Sequence, residues 1–207
     1  MAARVSPHSS LVKIFVKPTL PTRAPLWTQR ILFAGGILML GYCGFVLLDT
    51  WVFQRQENAA LERFAPQAML ASPAVVGPDG LIGRIQIERL GISVILLEGT
   101  SNKTLRHAVG HIAGTALPGQ SGNVGIAGHR DTFFRPLRNI ESDDLIMLTT
   151  PRGEYRYRVV STKVVSPDRI EVLNSDNTEI LTLVTCYPFY FLGSAPNRFI
   201  VRAVRTT

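Results

Sequence analysis

Cysteine is nearly absent: the 207 residues contain two, Cys43 and Cys186. Cys43 lies inside a long apolar run and Cys186 far beyond it, so the two are expected in different compartments. A disulfide framework is thereby excluded. No Cys and His cluster at zinc spacing, no glycine-rich phosphate loop and no Gly-x-Ser-x-Gly elbow occur, so no metal or cofactor is expected. Glu141, Asp143 and Asp144 read as solvated turn acids rather than a calcium loop. Internal repeats are missing as well, which argues against a solenoid or propeller. Acids are absent from the first 30 residues, which hold Arg4, Lys13, Lys17, Arg23 and Arg30. From Val52 onward the chain is close to balanced, with 17 basic against 14 acidic residues. The net charge of +7 is therefore mostly a property of the tail, and nucleic acid is not an expected partner.

The tail leads into an uncharged run from Ile31 to Leu48, about 27 Å long as a helix and close to the thickness of a bilayer core. Trp27 and Trp51 bracket it where aromatic rings favour the headgroup boundary. The run exceeds a signal-peptide core, and no small-x-small cleavage pattern comes after it, so it reads as an uncleaved anchor. Positive-inside orientation then puts the N-terminus in the cytoplasm and everything after Trp51 outside. The expected organisation is a basic tail (1–30), a membrane anchor (31–51), a juxtamembrane helix and linker (52–80) and a folded domain (81–207). In the linker the helix should stop at Pro66, and the Pro/Gly/Ala-rich stretch to Gly80 should be extended.

The folded domain reads as many short strands with turn residues between them, an all-β barrel or sandwich. Strands are expected near 82–90, 92–97, 123–129, 144–150, 154–165, 180–186 and 199–204. Ser101 should cap a short helix through Ala108. Residues 110–122 read as loop, 130–137 as a brief helix broken by Pro136, and 170–173 as a minor element. In the strand ending at Cys186, Ile180, Thr182 and Val184 share the cysteine's face while Leu181, Leu183 and Thr185 take the other, so burial on both sides is expected.

That strand allows two readings of Cys186: a small core hydrophobe, or a nucleophile. A nucleophilic thiol needs a nearby base and a positive charge for the developing oxyanion. Three histidines lie beyond the anchor. His107 reads as an exposed surface residue, His111 as a hydrogen-bonding structural residue in a glycine-flanked loop, and His129 as a strand-end side chain suited to presentation at a site. The eleven residues between Cys186 and Arg198 contain Pro188, Gly193 and Pro196, a loop suited to joining two neighbouring antiparallel strands. If the two residues stand opposite, their side chains share a face.

The segment Thr182-Leu183-Val184-Thr185-Cys186 resembles the Thr-Leu-x-Thr-Cys signature of sortases, the membrane-anchored cysteine transpeptidases of bacterial surfaces. Ala127-Gly128-His129-Arg130 is similar to the segment around the sortase histidine, and Arg198 stands where that family has its arginine. Gly114-Thr115-Ala116-Leu117-Pro118-Gly119 and Tyr187-Pro188-Phe189 resemble the class D branch. The resemblance covers roughly Leu81 to Val204. It implies an eight-stranded barrel and a Cys186, His129, Arg198 site. It further implies cleavage of an LPXTG-like sorting signal between Thr and Gly through a thioester, and transfer to an amine of a cell-wall precursor or a pilin lysine. A membrane-tethered peptidase that uses water as acceptor, or a non-enzymatic binding barrel, are the competing expectations.

Overall fold

Alternation of apolar side chains builds strands that close on one another. The computed structural model describes residues 26–68, 76–175, 178–191 and 193–206. The basic tail through residue 25, and with it Arg4, Lys13, Lys17 and Arg23, lies outside them, as do residues 69–75 of the linker. The strands are β1 (Leu81–Ile87), β2 (Ile92–Glu98), β3 (Val109–His111), β4 (Gly122–Ala127), β5 (Leu145–Thr150), β6 (Gly153–Val165), β7 (Glu179–Tyr187) and β8 (Asn197–Thr206). They form the expected eight-stranded closed barrel in the order β1-β2-β3-β4-β7-β8-β6-β5. Pairing is antiparallel except for β2 with β3 and β4 with β7, which run parallel. Alternate residues of each strand fill the interior, among them Ile85, Leu96, Ile126, Leu148, Leu183 and Val201. Burial in this core pushes the Tyr157 phenol up to about 12, so it stays neutral. At the bulge in β1 a Cβ on Gly83 would collide with the Thr149 carbonyl oxygen. Only glycine lets β1 approach β5 closely enough to close the ring.

Several local expectations shift. β1 ends at Ile87, and Glu88–Leu90 form a 3-10 turn closed by Gly91, whose amide donates to the Glu88 carbonyl at 3.0 Å. Residues 110–122 are not all loop: β3 takes Gly110 and His111, because pairing with β2 and β4 makes a strand of three residues with little intrinsic preference for one. The segment after His129 is a turn leading to a 3-10 helix, Arg135–Asn139. Pro136 sits in its first turn, where a missing N–H costs nothing. Ser101 caps α2 (Asn102–His107), accepting from the Thr104 amide at 3.1 Å as expected.

The N-terminal helix α1 spans Leu26–Ala68 and continues two residues beyond Pro66. In the first compact unit, which ends at Phe45, its large apolar side chains are exposed. Among the described residues, Leu26–Arg63 is the one helical stretch long and apolar enough to cross a membrane. Within the second unit, from Val46 on, the helix packs on the outer face of β2. Leu61 joins Leu81, Ile95, Leu97 and Ala108 in a second buried cluster, with Phe53 and Ala60 against it. The Gln54 amide is bound at both ends: Nε2 donates to the His107 carbonyl at 2.6 Å, and Oε1 accepts from the Ile95 amide at 3.1 Å. His107 is therefore not a free surface residue. It is half-buried, with its ring centroid 5.4 Å from that of Phe53.

Asp144 also departs from the solvated turn expected of it. It is 8% exposed. Arg89 grips it with two parallel bonds, Nε to Oδ1 at 2.5 Å and Nη2 to Oδ2 at 2.6 Å, and the Glu141 amide donates to Oδ2 at 2.8 Å. The guanidinium bond, aided by that amide, holds the carboxyl below the usual carboxylate range.

This packing has two measurable outcomes. Leu61→Ala should lower barrel stability by about 2–4 kcal/mol, read from the urea midpoint of the full chain in detergent by near-ultraviolet circular dichroism. A change within error would show that the helix contributes nothing to the barrel. For Asp144, the folded value lies below the unfolded one. The pair thus stabilises above about pH 4 and loses that effect as pH falls through the folded value. Asp144→Asn should be less stable than wild type at pH 7, with the gap in midpoint narrowing below about pH 4. A gap that does not vary between pH 3 and 7 would remove the charge from this account.

Candidate active site

β7 carries the thiol and is flanked on both sides by long pairings. Interior Leu181 and Leu183 fix its register, so Ile180, Thr182, Val184 and Cys186 lie on the outer face. The base of that face is covered. Asn123 of β4, 1% exposed, accepts from Thr182 Oγ1 at 2.8 Å and donates through Nδ2 to the Val172 and Asn174 carbonyls at 3.2 and 3.3 Å. These bonds hold the β6–β7 connection, with its 3-10 helix Ile170–Leu173, against the sheet. A Cβ on Gly125 would lie 3.1 Å from Thr115 Cγ2 and 3.2 Å from Leu173 Cδ2, so the cover reaches that level too. Further along, Ala127, Val184 and Cys186 are half-buried. The cover therefore thins towards the cysteine, where the outer strand face is only partly buried.

The three residues singled out from the sequence lie towards this end of the sheet. Cys186 and Arg198 are direct cross-strand partners, and Val165 of β6 pairs with Arg198 on its other side. β4 and β7 pair in parallel up to Ala127 and Val184. Beyond them the Gly128 amide donates to the Val184 carbonyl at 3.1 Å, and Thr185 Oγ1 donates to the Gly128 carbonyl at 2.7 Å. The seam thus runs one residue past the strand and delivers His129 level with Cys186. His129 then opens a turn in which the Phe134 amide donates to its carbonyl at 3.1 Å. Gly128 is required there, since a Cβ would stand 2.6 Å from the Phe134 ring. His129, Cys186 and Arg198 are all half-buried.

The Arg198 guanidinium is held by its own loop, with Nη1 donating to the Asn197 carbonyl at 3.0 Å and the Ala195 carbonyl at 3.3 Å. Aromatic rings support the start of that loop. Phe189 packs edge-on against Phe199 at 5.3 Å and against Tyr187 at 6.0 Å between centroids. Sequence reasoning passed over Arg130, whose guanidinium donates to the carbonyls of Pro188, Phe191 and Gly193 at 3.0, 2.6 and 2.9 Å. The only hint in the sequence was an arginine beside the candidate histidine, facing a loop rich in turn residues.

The other histidines are engaged elsewhere. His111, 2% exposed, is on β3 rather than in a loop. Its Nδ1 is 2.8 Å from Glu98 Oε2, and its Nε2 is 3.0 Å from both the Ala116 carbonyl and Thr115 Oγ1. It is the hydrogen-bonding structural residue that was expected. A cleft of about 530 Å³ on β1, β5 and β6, lined by Arg89, Asp144, Met147 and Arg156 among others, contains no cysteine or histidine. No group of His, Cys, Asp and Glu suited to a metal occurs among the described residues.

Comparison with known proteins agrees with this architecture. The sortase domain model matches residues 85–206. The chain is 30% identical over 197 residues to Sortase D of Bacillus subtilis, covering 85% of this chain and 96% of that protein. It is 32% identical over 184 residues to Sortase SrtE1 of Streptomyces coelicolor, covering 77% of this chain and 51% of that one. Among solved structures, a Clostridium perfringens Sortase D5 transpeptidase superimposes with a TM-score of 0.63 at 27% identity, covering 75% of this chain and 99% of that one. Barrel, matched domain and class D likeness lead to one conclusion: the chain belongs to the sortase family, transpeptidases that anchor proteins.

Proposed function

We propose that Cys186 is the nucleophile, His129 the proton carrier and Arg198 the oxyanion donor of a transpeptidase acting on an LPXTG-like sorting signal. The observation that carries this reading is the cross-strand pairing of Cys186 with Arg198, which sets a thiol and a guanidinium on one face at the open end of the sheet. An extended sorting peptide lies along the partly buried outer strand face beside Ala127 and Val184 with its Thr carbonyl over Cys186. The Cys186 thiolate attacks that carbon. The remaining donors of the Arg198 fork, on Nε and Nη2, stabilise the oxygen as it gains charge. The C–N bond to Gly breaks, the leaving amine takes the proton of the His129 imidazolium, and a thioester remains on Sγ. An acceptor amine, from a cell-wall precursor or a pilin lysine, then attacks the thioester. It gives its proton to His129 and releases the thiolate. One amide is exchanged for another, so no external oxidant or energy source is needed.

The apolar helix supports a single-pass anchor. With all five basic residues of the first 30 on the N-terminal side of the uncharged run from Ile31 to Leu48, we infer a cytoplasmic N-terminus and an outward-facing barrel. Alkaline phosphatase fused after Thr207 should then be active in cells, and an inactive fusion beside a well-expressed one would reverse the topology.

For the chemistry, the full chain in detergent should convert an LPXTG peptide and an added amine into a joined product. Cys186→Ala and His129→Ala should each reduce turnover by at least about 10³-fold, and Arg198→Ala by about 10²–10³-fold, the size expected for loss of an oxyanion donor. Hydrolysis with no amine-dependent product would replace transfer by peptidase action. Full activity in Cys186→Ala would end the nucleophile assignment.

A further inference from the structure

Arg130 comes directly after His129 and reaches across to the loop beyond Cys186. Nη1 donates to the Pro188 carbonyl at 3.0 Å, and Nη2 donates to those of Phe191 at 2.6 Å and Gly193 at 2.9 Å. One guanidinium thus fixes three carbonyls spread along the β7–β8 loop, and its carbon also stands 5.9 Å from the Phe191 ring. Among the described residues, that part of the loop otherwise has a turn bond from the Phe191 amide to the Pro188 carbonyl at 3.4 Å and the Arg138 guanidinium 5.5 Å from the Tyr190 ring. Tyr190 is 76% and Phe191 44% exposed, and Gly193 has φ 92. The packed rings, Phe189 on Phe199 and Tyr187, lie at its start. At the far end, the Ala195 and Asn197 carbonyls accept from Arg198 Nη1. Arg130 therefore holds the first half of the loop, and the second half orients Arg198.

We propose that Arg130 is a positioning residue for the transfer reaction. It ties the His129 segment to the loop between Cys186 and Arg198, so that the three groups keep one spacing and Arg198 keeps its direction. Arginine suits the task because a planar fork can serve separated acceptors at once, whereas a lysine ammonium is a single point of attachment. This inference rests on the transpeptidase reading above, but the contact it invokes can be judged apart from it.

The test uses the full chain in detergent with Arg130→Gln and Arg130→Lys, and two kinds of readout. Chymotrypsin, which cleaves after exposed aromatic residues, reports release of the loop at Tyr190 and Phe191. Steady-state kinetics with a sorting peptide and an amine report positioning. Arg130→Gln should be nicked in the loop about tenfold faster than wild type with an unchanged global unfolding midpoint. Its kcat should fall about tenfold or more while KM changes less than about threefold, the pattern of lost alignment rather than lost binding. Arg130→Lys should recover part of both losses. Wild-type nicking in Arg130→Gln overturns the clamp, and faster nicking with unchanged kcat overturns its role in positioning. Should Arg130→Gln fail to fold, the lysine variant decides on the same two readouts, with intermediate values expected and wild-type values contrary. If wild-type protein joins no peptide to any amine, the transpeptidase reading fails on its own. The clamp is then decided by nicking together with the rate of Cys186 alkylation by iodoacetamide, expected to change at least about threefold in Arg130→Gln; equality with wild type overturns it.

Discussion

Two seams join the halves of this barrel, the antiparallel pairing of β1 with β5 and the parallel pairing of β4 with β7, and the second sets the thiol. β4 and β7 pair from Gly122 with Glu179 to Ala127 with Val184, and along them the four strands β1-β2-β3-β4 meet the four strands β7-β8-β6-β5. The contact is strongly non-local: Thr182 and Asn123, which bond across it, are 59 residues apart in sequence. Loop closure of that length must be offset by contacts the seam makes at once. Interior Leu181 and Leu183, opposite Val124 and Ile126, supply the apolar part, and the Asn123–Thr182 bond supplies the polar part. A slip of one residue would turn Leu183 outward and Cys186 into the core. The same apolar side chains that stabilise the seam therefore decide that the thiol faces solvent.

Much of this arrangement was legible because it is written locally. The apolar run ending at Cys186 marked β7, turn residues separated the strands, and Ser101 announced α2. The spacing from Cys186 to Arg198 suggested the pairing that β7 and β8 adopt. What escaped was decided by partners far along the chain. β3 has only Val109, Gly110 and His111, and its neighbours, not its propensities, make it a strand. Asp144 looked like a solvated turn acid until Arg89, 55 residues away, was seen to grip it. The run Val94 to Leu97 is apolar on both faces, a sign of burial on both sides. The sequence does not say that the outer cover is Leu61 and Phe53 of the preceding helix. For the candidate site, residue types and chain order were readable, whereas the loop carbonyls that engage Arg130 and Arg198 were not.

The division of labour at the rim reflects the stiffness of its parts. Cys186 stands near the end of a strand paired on both sides, and His129 lies one residue past a seam sealed by the Thr185 hydroxyl on the Gly128 carbonyl. Arg198 is different: its backbone is in β8, but its long side chain takes direction from carbonyls at the loop's end, that of Ala195 and that of Asn197 where β8 begins. Strands resist displacement in a packed interior, whereas a loop without ladder bonds moves at lower cost. Precision in two of the three groups is thus built into the sheet, and in the third it depends on how the loop is held.

That dependence matters for the chemistry we propose. Arg198 Nη1 donates to the neutral carbonyls of Ala195 and Asn197. A tetrahedral oxyanion is a stronger acceptor for a guanidinium than a neutral carbonyl, since it meets the cation with a full charge where the carbonyl offers only a dipole. The remaining Nε and Nη2 donors therefore gain most from the substrate when charge has formed there, and gain little from a ground-state peptide. Interactions that strengthen only at the transition state raise turnover rather than merely tightening binding. Nη1 rests on neutral carbonyls, so the guanidinium charge acts on the substrate through its other donors. This explains how a buried-strand cysteine and a loop-oriented arginine can act together: the strand fixes where charge will develop, and the loop keeps the cation close without satisfying it.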